Sequence, residues 1–283
     1  AGEVLRKLNL PVYNEETHKG FIRAFRARVM PGSNELMVGI ISTKREFSER
    51  EAMGKMLWDA ANDLRDEQGK PMLLVGVALN VNETPGNAIL GPVTMAVRGR
   101  SSQTDTVAGL KLQVSFTSFY QNNRHADAIL FRPALAMLGD VKGLRIVDGY
   151  GGIGAFGLRL LKAGAGHVTI IESSPVACED ARVNLRENGF TNGEVREQPF
   201  GSAPLPECDV LVVDPPRAGL QEVGCAAVLA AKPARVLLVS CSLESLARDL
   251  ALLHEHYRTV AVRLCDLFPH TDHVEAVTLL ERR

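Results

Sequence analysis

The chain has 283 residues, 46% hydrophobic and 23% charged, with 32 Lys+Arg against 33 Asp+Glu. These proportions fit a globular protein of one large or two ordinary domains and exclude collagen, coiled coil and wholesale disorder. No apolar run approaches the roughly 18–20 residues that span a bilayer, and residues 1–20 lack the apolar centre of a signal peptide, so a cytoplasmic monomer without membrane contact is expected.

Residues 2–9 read as a short helix, and 20–30 and 35–42 as strands paired across Pro31-Gly32-Ser33-Asn34. Lys19, Arg23, Arg26 and Arg28 alternate with Phe21 and Phe25, a mixture that suits either phosphate binding with base stacking or a solvated strand edge. Met53, Met56, Leu57, Ala60, Ala61 and Leu64 recur at helical spacing, which predicts a long amphipathic helix over 46–68. Strands are expected at 72–79 and 88–98, a turn region at 99–109, and a strand at 110–116. An α+β domain therefore occupies 1–111, with possible RNA contacts, and a second domain occupies 112–283.

The second domain alternates apolar runs with helix-length segments, the pattern of a parallel sheet covered on both faces. Four runs end in Asp148, Glu172, Asp214 and Cys241. Ligands of such sheets bind beyond the carboxyl ends of the strands, so these side chains are expected to share one crevice. Asp148 opens the loop Gly149-Tyr150-Gly151-Gly152-Ile153-Gly154, with Glu172 about 20 residues on for ribose hydroxyls. The glycines alone admit a nicotinamide dinucleotide or S-adenosylmethionine. Asp148 would welcome a sulfonium cation and repel a pyrophosphate. Asp214-Pro215-Pro216-Arg217 is a rigid loop suited to orienting a planar base. Cys241 precedes a helix whose dipole would favour its thiolate, and Glu275, in an apolar run, would become a better proton acceptor through burial. None of the five cysteines forms a C-x-x-C pair, so no metal site is expected within the chain.

Together these motifs resemble the RNA 5-methyluridine methyltransferases. The resemblance extends through most of the chain. It runs from Tyr13-Asn-Glu-Glu-Thr-His-Lys-Gly20 with Arg23, through Ser118-Phe-Tyr-Gln-Asn-Asn123, the glycine loop, Asp214-Pro-Pro-Arg217 and Ser240-Cys241 with Leu246-Ala-Arg-Asp-Leu250, to Phe268-Pro-His-Thr-Asp-His-Val-Glu275. It implies a Rossmann-like, class I S-adenosylmethionine-dependent α/β domain preceded by a smaller α+β domain. It also implies methylation of uracil C5 in transfer or ribosomal RNA, at a flipped or unpaired uridine. By resemblance Cys241 is the nucleophile, Glu275 the base, and Asp214, Arg217 and Phe119 hold the substrate. Gln121, Asp148, Gly149, Tyr150, Gly151, Gly152, Gly154, Glu172 and Asp214 hold the cofactor.

Three departures stand out. The family's Ser-Cys-Asn-Pro reads Ser240-Cys241-Ser242-Leu243, its loop cysteine is Gly151, and Gln198-Pro199 stands where an acidic residue commonly meets adenine. They motivate an alternative reading as an RNA-binding member without turnover; a nicotinamide-dependent dehydrogenase rests on the glycine loop alone. Because the chain starts at Ala1, the resemblance also leads us to expect a preceding RNA-docking barrel, and an iron–sulfur cluster only in that region.

Overall fold

The structure is a computed structural model describing residues 1–283. It divides into two compact units: Ala1–Thr106 with Gln113–Thr117, and Val107–Leu112 with Ser118–Arg283. The expected boundary at 111/112 falls inside this interleaved stretch.

The first unit contains α1 (Gly2–Lys7), β1 (Ile22–Val29), β2 (Glu35–Ser42), α2 (Arg50–Asn62), β3 (Leu73–Val81) and β4 (Val93–Gly99). Its sheet has the order β1-β2-β3-β4. The β1/β2 and β3/β4 pairs are antiparallel and β2/β3 parallel, so α2 is the crossover that a parallel pair requires. Both central strands are buried almost throughout, because Met53, Leu57 and Ala61 of α2 pack with Val38, Ile40, Val77 and Leu79 on one face. Phe116 packs on Met37, Val75 and Ala78 on the other. Only glycine fits at position 39, where a Cβ would lie 2.5 Å from the Phe116 ring.

The helix expected over 46–68 is shorter than its apolar spacing suggested. The chain turns back at Asp66, whose side chain accepts from the Gln68 and Lys70 amides. The expected turn region 99–109 contains a strand: β5 (Ser102–Val107) forms a hairpin with β6 (Leu110–Ser115) across Ala108 and Gly109, both at positive φ. Its polar sequence hid it, since buried Gln103 is satisfied by donating to the carbonyls of Arg28 and Glu35.

The basic and aromatic cluster lies along β1, an edge strand whose Phe25 is exposed, and its Arg26 and Arg28 are partnered within the unit. Arg26 donates to the Phe116 carbonyl and lies over its ring, while Arg28 binds Gln103 and the carbonyls of Val114 and Ser115. Phe21 is buried against Phe47. Of the four cations only Lys19 is fully exposed.

The second unit begins with a π-helical turn, Asp127–Phe131, running into α3 (Arg132–Leu138). Then β7 (Arg145–Gly149), α4 (Ala155–Lys162), β8 (His167–Glu172), α5 (Pro175–Glu187), β9 (Gly193–Glu197), β10 (Val210–Val213), α6 (Gln221–Ala231), β11 (Arg235–Ser240), α7 (Leu243–Leu253), β12 (Tyr257–Cys265) and β13 (Glu275–Arg282) follow. The sheet order is β12-β13-β11-β10-β7-β8-β9. Strands β7 to β11 are mutually parallel, and β13 enters antiparallel between β11 and β12. This is the Rossmann-like arrangement of class I S-adenosylmethionine-dependent methyltransferases. The order reverses at β7, which places the ligand crevice at the ends of β7 and β10. No helix is long and apolar enough to cross a membrane.

Leu237, fully buried on β11, is bracketed by β10 and β13. Leu237→Ala is expected to cost about 2–5 kcal/mol in urea denaturation of the second unit.

Candidate active site

The register of the parallel strands brings the run ends together. Val213 pairs with Gly149 and with Leu238, so Asp214 emerges between the glycine loop and the end of β11; its amide donates to the Gly149 carbonyl at 3.3 Å. Ser240 pairs with Ala276, which sets Cys241 beside Glu275. Asp148, Asp214 and Glu275 sense one another electrostatically in a chain, Asp148 with Asp214 and Asp214 with Glu275, and Cys241 senses both Asp214 and Glu275. The predicted convergence of the strand-end residues is therefore what the topology produces.

Glycine is required in the cofactor loop by close packing. A Cβ on Gly149 would meet the Phe200 ring at 2.5 Å, and one on Gly151 would meet Ile170 at 2.6 Å. Tyr150, Gly152 and Gly154 all have positive φ, and Tyr150 lies against Phe200 at 5.0 Å. Glu172 closes the loop: one oxygen accepts from Gly152 N at 3.0 Å, the other from the Ser173 and Ser174 amides. Asn184, buried on α5, donates to the Ile153 carbonyl at 3.0 Å.

Two carboxyls here are held neutral more readily than usual. Burial is the main cause for both. Asp148 is pushed up to about 7, Glu172 adding to burial while the Gly157 amide at 2.8 Å opposes it. Asp214 is pushed up to about 8, Glu275 and Asp148 contributing. Glu275 is also raised by burial, as its sequence setting implied. The thiol of Cys241 departs from expectation. Burial, Glu275 and Asp214 push it up, and Arg217 pulls it down. Cys241 lies just before the cap of α7, yet burial, with Glu275 and Asp214 adding to it, leaves the thiol raised.

The departure at Ser242 has a structural answer. Ser242 is the N-cap of α7 and its hydroxyl accepts from the Ser245 amide, the role that Asn commonly fills at this position. The segment 118–123 is fastened at both ends: Ser118 bonds Asp180 of α5 at 2.5 Å, and Asn123 donates to the Leu267 carbonyl at 2.8 Å. Between them, the side-chain oxygen of Gln121 is buried and accepts no hydrogen bond from the protein. Phe119 is 68% exposed and Arg217 is exposed as well, so these two stand at the rim rather than in the buried set. Gln198 donates its amide to the Glu172 carbonyl, a backbone role that any residue can fill.

Several supporting residues escaped the sequence reading. Asp180 and Asn184 interrupt the apolar face of α5 at a spacing of four, and polar residues at core positions were the available signal. Asp249 is 1% exposed; its carboxylate accepts from Leu220 N at 2.7 Å and Gln221 N at 3.3 Å and pairs with Arg248. Arg248 also donates to the Ala218 carbonyl at 2.5 Å. The Leu246–Leu250 motif is thus the fastening of the loop that starts at Asp214.

The profile of the tRNA (Uracil-5-)-methyltransferase family matches residues 205–283, which contain Asp214, Arg217, Cys241 and Glu275. An uncharacterised RNA methyltransferase of Halalkalibacterium halodurans is 34% identical over 286 residues, covering 99% of this chain and 60% of its own length. One of Bacillus cereus is 33% identical over 290 residues with the same coverages. Residues 205–283 thus match the tRNA (Uracil-5-)-methyltransferase family, and the chain as a whole is similar to RNA methyltransferases. It spans about three-fifths of the length of these curated relatives. Among solved structures, the tRNA (uracil-54, C5)-methyltransferase of Pyrococcus abyssi in complex with S-adenosyl-L-homocysteine superposes with a TM-score of 0.75 at 25% identity, covering 99% of this chain and 64% of that one.

Two predictions follow from the buried acids. The folded values of Asp148 and Asp214 lie above the ordinary 3.8, so the folded state binds more protons than the unfolded state between about pH 4 and pH 7–8. Their contribution to stability is full below pH 4 and declines as pH rises through that window. In urea titrations Asp148→Asn should gain stability relative to the parent protein from pH 4 to 7 and then level off. Asp249→Ala, which strands the Leu220 and Gln221 amides, should cost about 1–3 kcal/mol and open residues 215–221 to limited proteolysis.

Proposed function

We propose that the chain catalyses S-adenosylmethionine-dependent methylation of uracil C5 in RNA, with Cys241 as nucleophile and Glu275 as base. The observation that carries this reading is the strand register that sets a cysteine thiol beside a buried carboxyl, at the mouth of a crevice lined by buried Asp148 and half-buried Asp214. The family match over residues 205–283 and the likeness to the P. abyssi enzyme support the same substrate class.

The residues present fit the methyl donor. The unsatisfied Gln121 oxygen suits an ammonium donor, Glu172 at the loop suits ribose hydroxyls, and buried Asp148 suits a cation. A dinucleotide would instead bring pyrophosphate against Asp148, which disfavours the dehydrogenase reading. When bound, S-adenosylmethionine supplies an electrophilic methyl group.

Uracil C5 is a poor nucleophile until a thiolate adds to C6. Addition of Cys241 Sγ forms the S–C6 bond and moves the ring π electrons toward O4. Asp214, raised to about 8 and therefore largely protonated at neutral pH, is suited to donate a hydrogen bond to that developing oxyanion. Arg217 is the cation that offsets charge on the sulfur. Once C5 is methylated, Glu275 takes its remaining proton; the electrons of that C–H bond form the C5–C6 double bond and expel Cys241 as thiolate.

Incubation with labelled S-adenosylmethionine and RNA containing 5-fluorouracil tests the scheme, because fluorine at C5 cannot leave as a proton. A denaturation-resistant protein–RNA complex is expected, and Cys241→Ala should abolish it together with turnover on ordinary RNA. Glu275→Gln should accumulate the methylated adduct on unmodified RNA. Absence of trapping on several RNAs despite cofactor binding would favour the member without turnover, and normal turnover by Glu275→Gln would refute the base assignment.

A further inference from the structure

The Tyr13–Gly20 motif and the segment Glu83–Gly91 play no part in the reaction above, yet the first unit builds them with unusual care. Asn80 stands on the buried strand β3 and Asn82 just beyond its end. Asn80 donates to the carbonyls of Gly91 and Val93 and accepts from Gly91 N; Asn82 donates to the carbonyls of Ala88 and Ile89 and accepts from Thr84 N. Arg23, whose side chain is 5% exposed, donates to the carbonyls of Thr84 and Gly86, both at 2.8 Å. Five carbonyls of one loop are thereby drawn inward onto three side chains. The amides of Gly86, Asn87, Ala88, Ile89 and Leu90 donate to no group in the protein. The loop is fastened through its carbonyls, and these amides remain available to a ligand.

The Tyr13–Gly20 turn faces these donors with an acceptor. Asn14 closes the turn by accepting from the Glu16 and Thr17 amides, and Tyr13 bonds His18 Nδ1 at 2.7 Å, which fixes the imidazole. Arg23 lies over the Tyr13 ring and holds one oxygen of Glu15 at 3.1 Å. The other Glu15 oxygen has no partner in the protein. Between turn and loop lies a cavity of about 540 Å³ lined by Glu15, His18, Arg23, Gly86, Asn87 and Ile89. That size is in the range of sites that enclose a small planar ligand.

We propose that this cavity binds an unpaired guanine of the RNA, away from the uracil that is methylated; the proposal rests on the RNA-modifying reading. The lining selects the ligand by exclusion. A phosphate would meet the Glu15 carboxylate and be repelled. Adenine and cytosine place a ring-nitrogen lone pair beside their amino group, so one of their atoms would oppose that carboxylate. Uracil flanks its single N–H with two carbonyls. Guanine alone offers adjacent N1–H and N2–H donors to the carboxylate and an O6 acceptor for Asn87 and the loop amides. Ile89, 60% exposed, and the fixed His18 ring supply surfaces for the flat faces of the base.

The test uses fluorescein-labelled hexauridylate and three derivatives in which one central uridine is replaced by guanosine, inosine or adenosine, titrated with the protein in fluorescence anisotropy. The guanosine RNA should bind about tenfold tighter than hexauridylate, as expected for hydrogen bonds to a charged group. Inosine, which lacks the N2 amine, should gain less, and adenosine nothing. Glu15→Gln and Asn87→Ala, each shown folded by its thermal melt, should bind the four RNAs alike. Equal binding of guanosine and adenosine RNAs, or a guanosine preference that survives both substitutions, overturns the proposal. Trapping on 5-fluorouracil RNA reports the methylation reading separately: trapping without guanosine preference sinks this site alone, and guanosine preference without trapping sinks the methylation reading alone.

Discussion

One strand register governs the chemistry of this molecule. Because β13 runs antiparallel between β11 and β12, the last residue of β11 opposes the second residue of β13, and the residues just outside that pair, Cys241 and Glu275, are forced together. A shift of one residue would turn Glu275 to the opposite face of the sheet. Fully buried Val277, Leu279 and Leu280 oppose such a slip, since each would lose its place in the core. The proposed nucleophile and base are therefore aligned by apolar packing several residues away from the reaction.

The same crevice accumulates acid without a matching internal cation. Asp148, Asp214 and Glu275 are all displaced toward their neutral forms, mainly by burial, and Cys241 is displaced with them. This is unfavourable for the isolated fold and agrees with the proposal that the site receives a cationic donor and a uracil whose O4 becomes negative. Asp214 is held protonated chiefly by burial, and its acidic neighbours add to the shift. Burial and the same cluster make a resting Cys241 thiolate costly.

What the sequence revealed was what depends on period and on strand ends. Apolar runs ending in Asp148, Glu172, Asp214 and Cys241 located the sheet and its crevice, because strand polarity in a parallel sheet leaves little freedom there. Glu275 was legible as a carboxylate in an apolar run. The hairpin Ser102–Ser115 was not, since its buried Gln103 is satisfied by backbone carbonyls from elsewhere in the unit, a contact that leaves no local periodicity. The partners of Arg26 and Arg28 were hidden for the same reason: they are carbonyls of a later segment. Asp249 could be noticed as a polar residue within a helix, but its partners at Leu220 and Gln221 belong to another loop.

Helix α7 is where these two kinds of information meet. Its first turn, capped by Ser242, fixes the chain immediately after Cys241; its later turns carry Arg248 and Asp249, which hold the far end of the Asp214–Gln221 loop. Gly219 and Gln221 both sit at positive φ in that loop, and a Cβ on Gly219 would lie 2.3 Å from the Asp249 carboxylate. The loop is thus held in a conformation its own residues would not choose. Burial and Glu275 raise the Cys241 thiol most; Asp214 adds to them and Arg217 opposes them. One helix fixes the ends of both segments, and through it the proposed nucleophile and the groups that tune it are positioned as a single body.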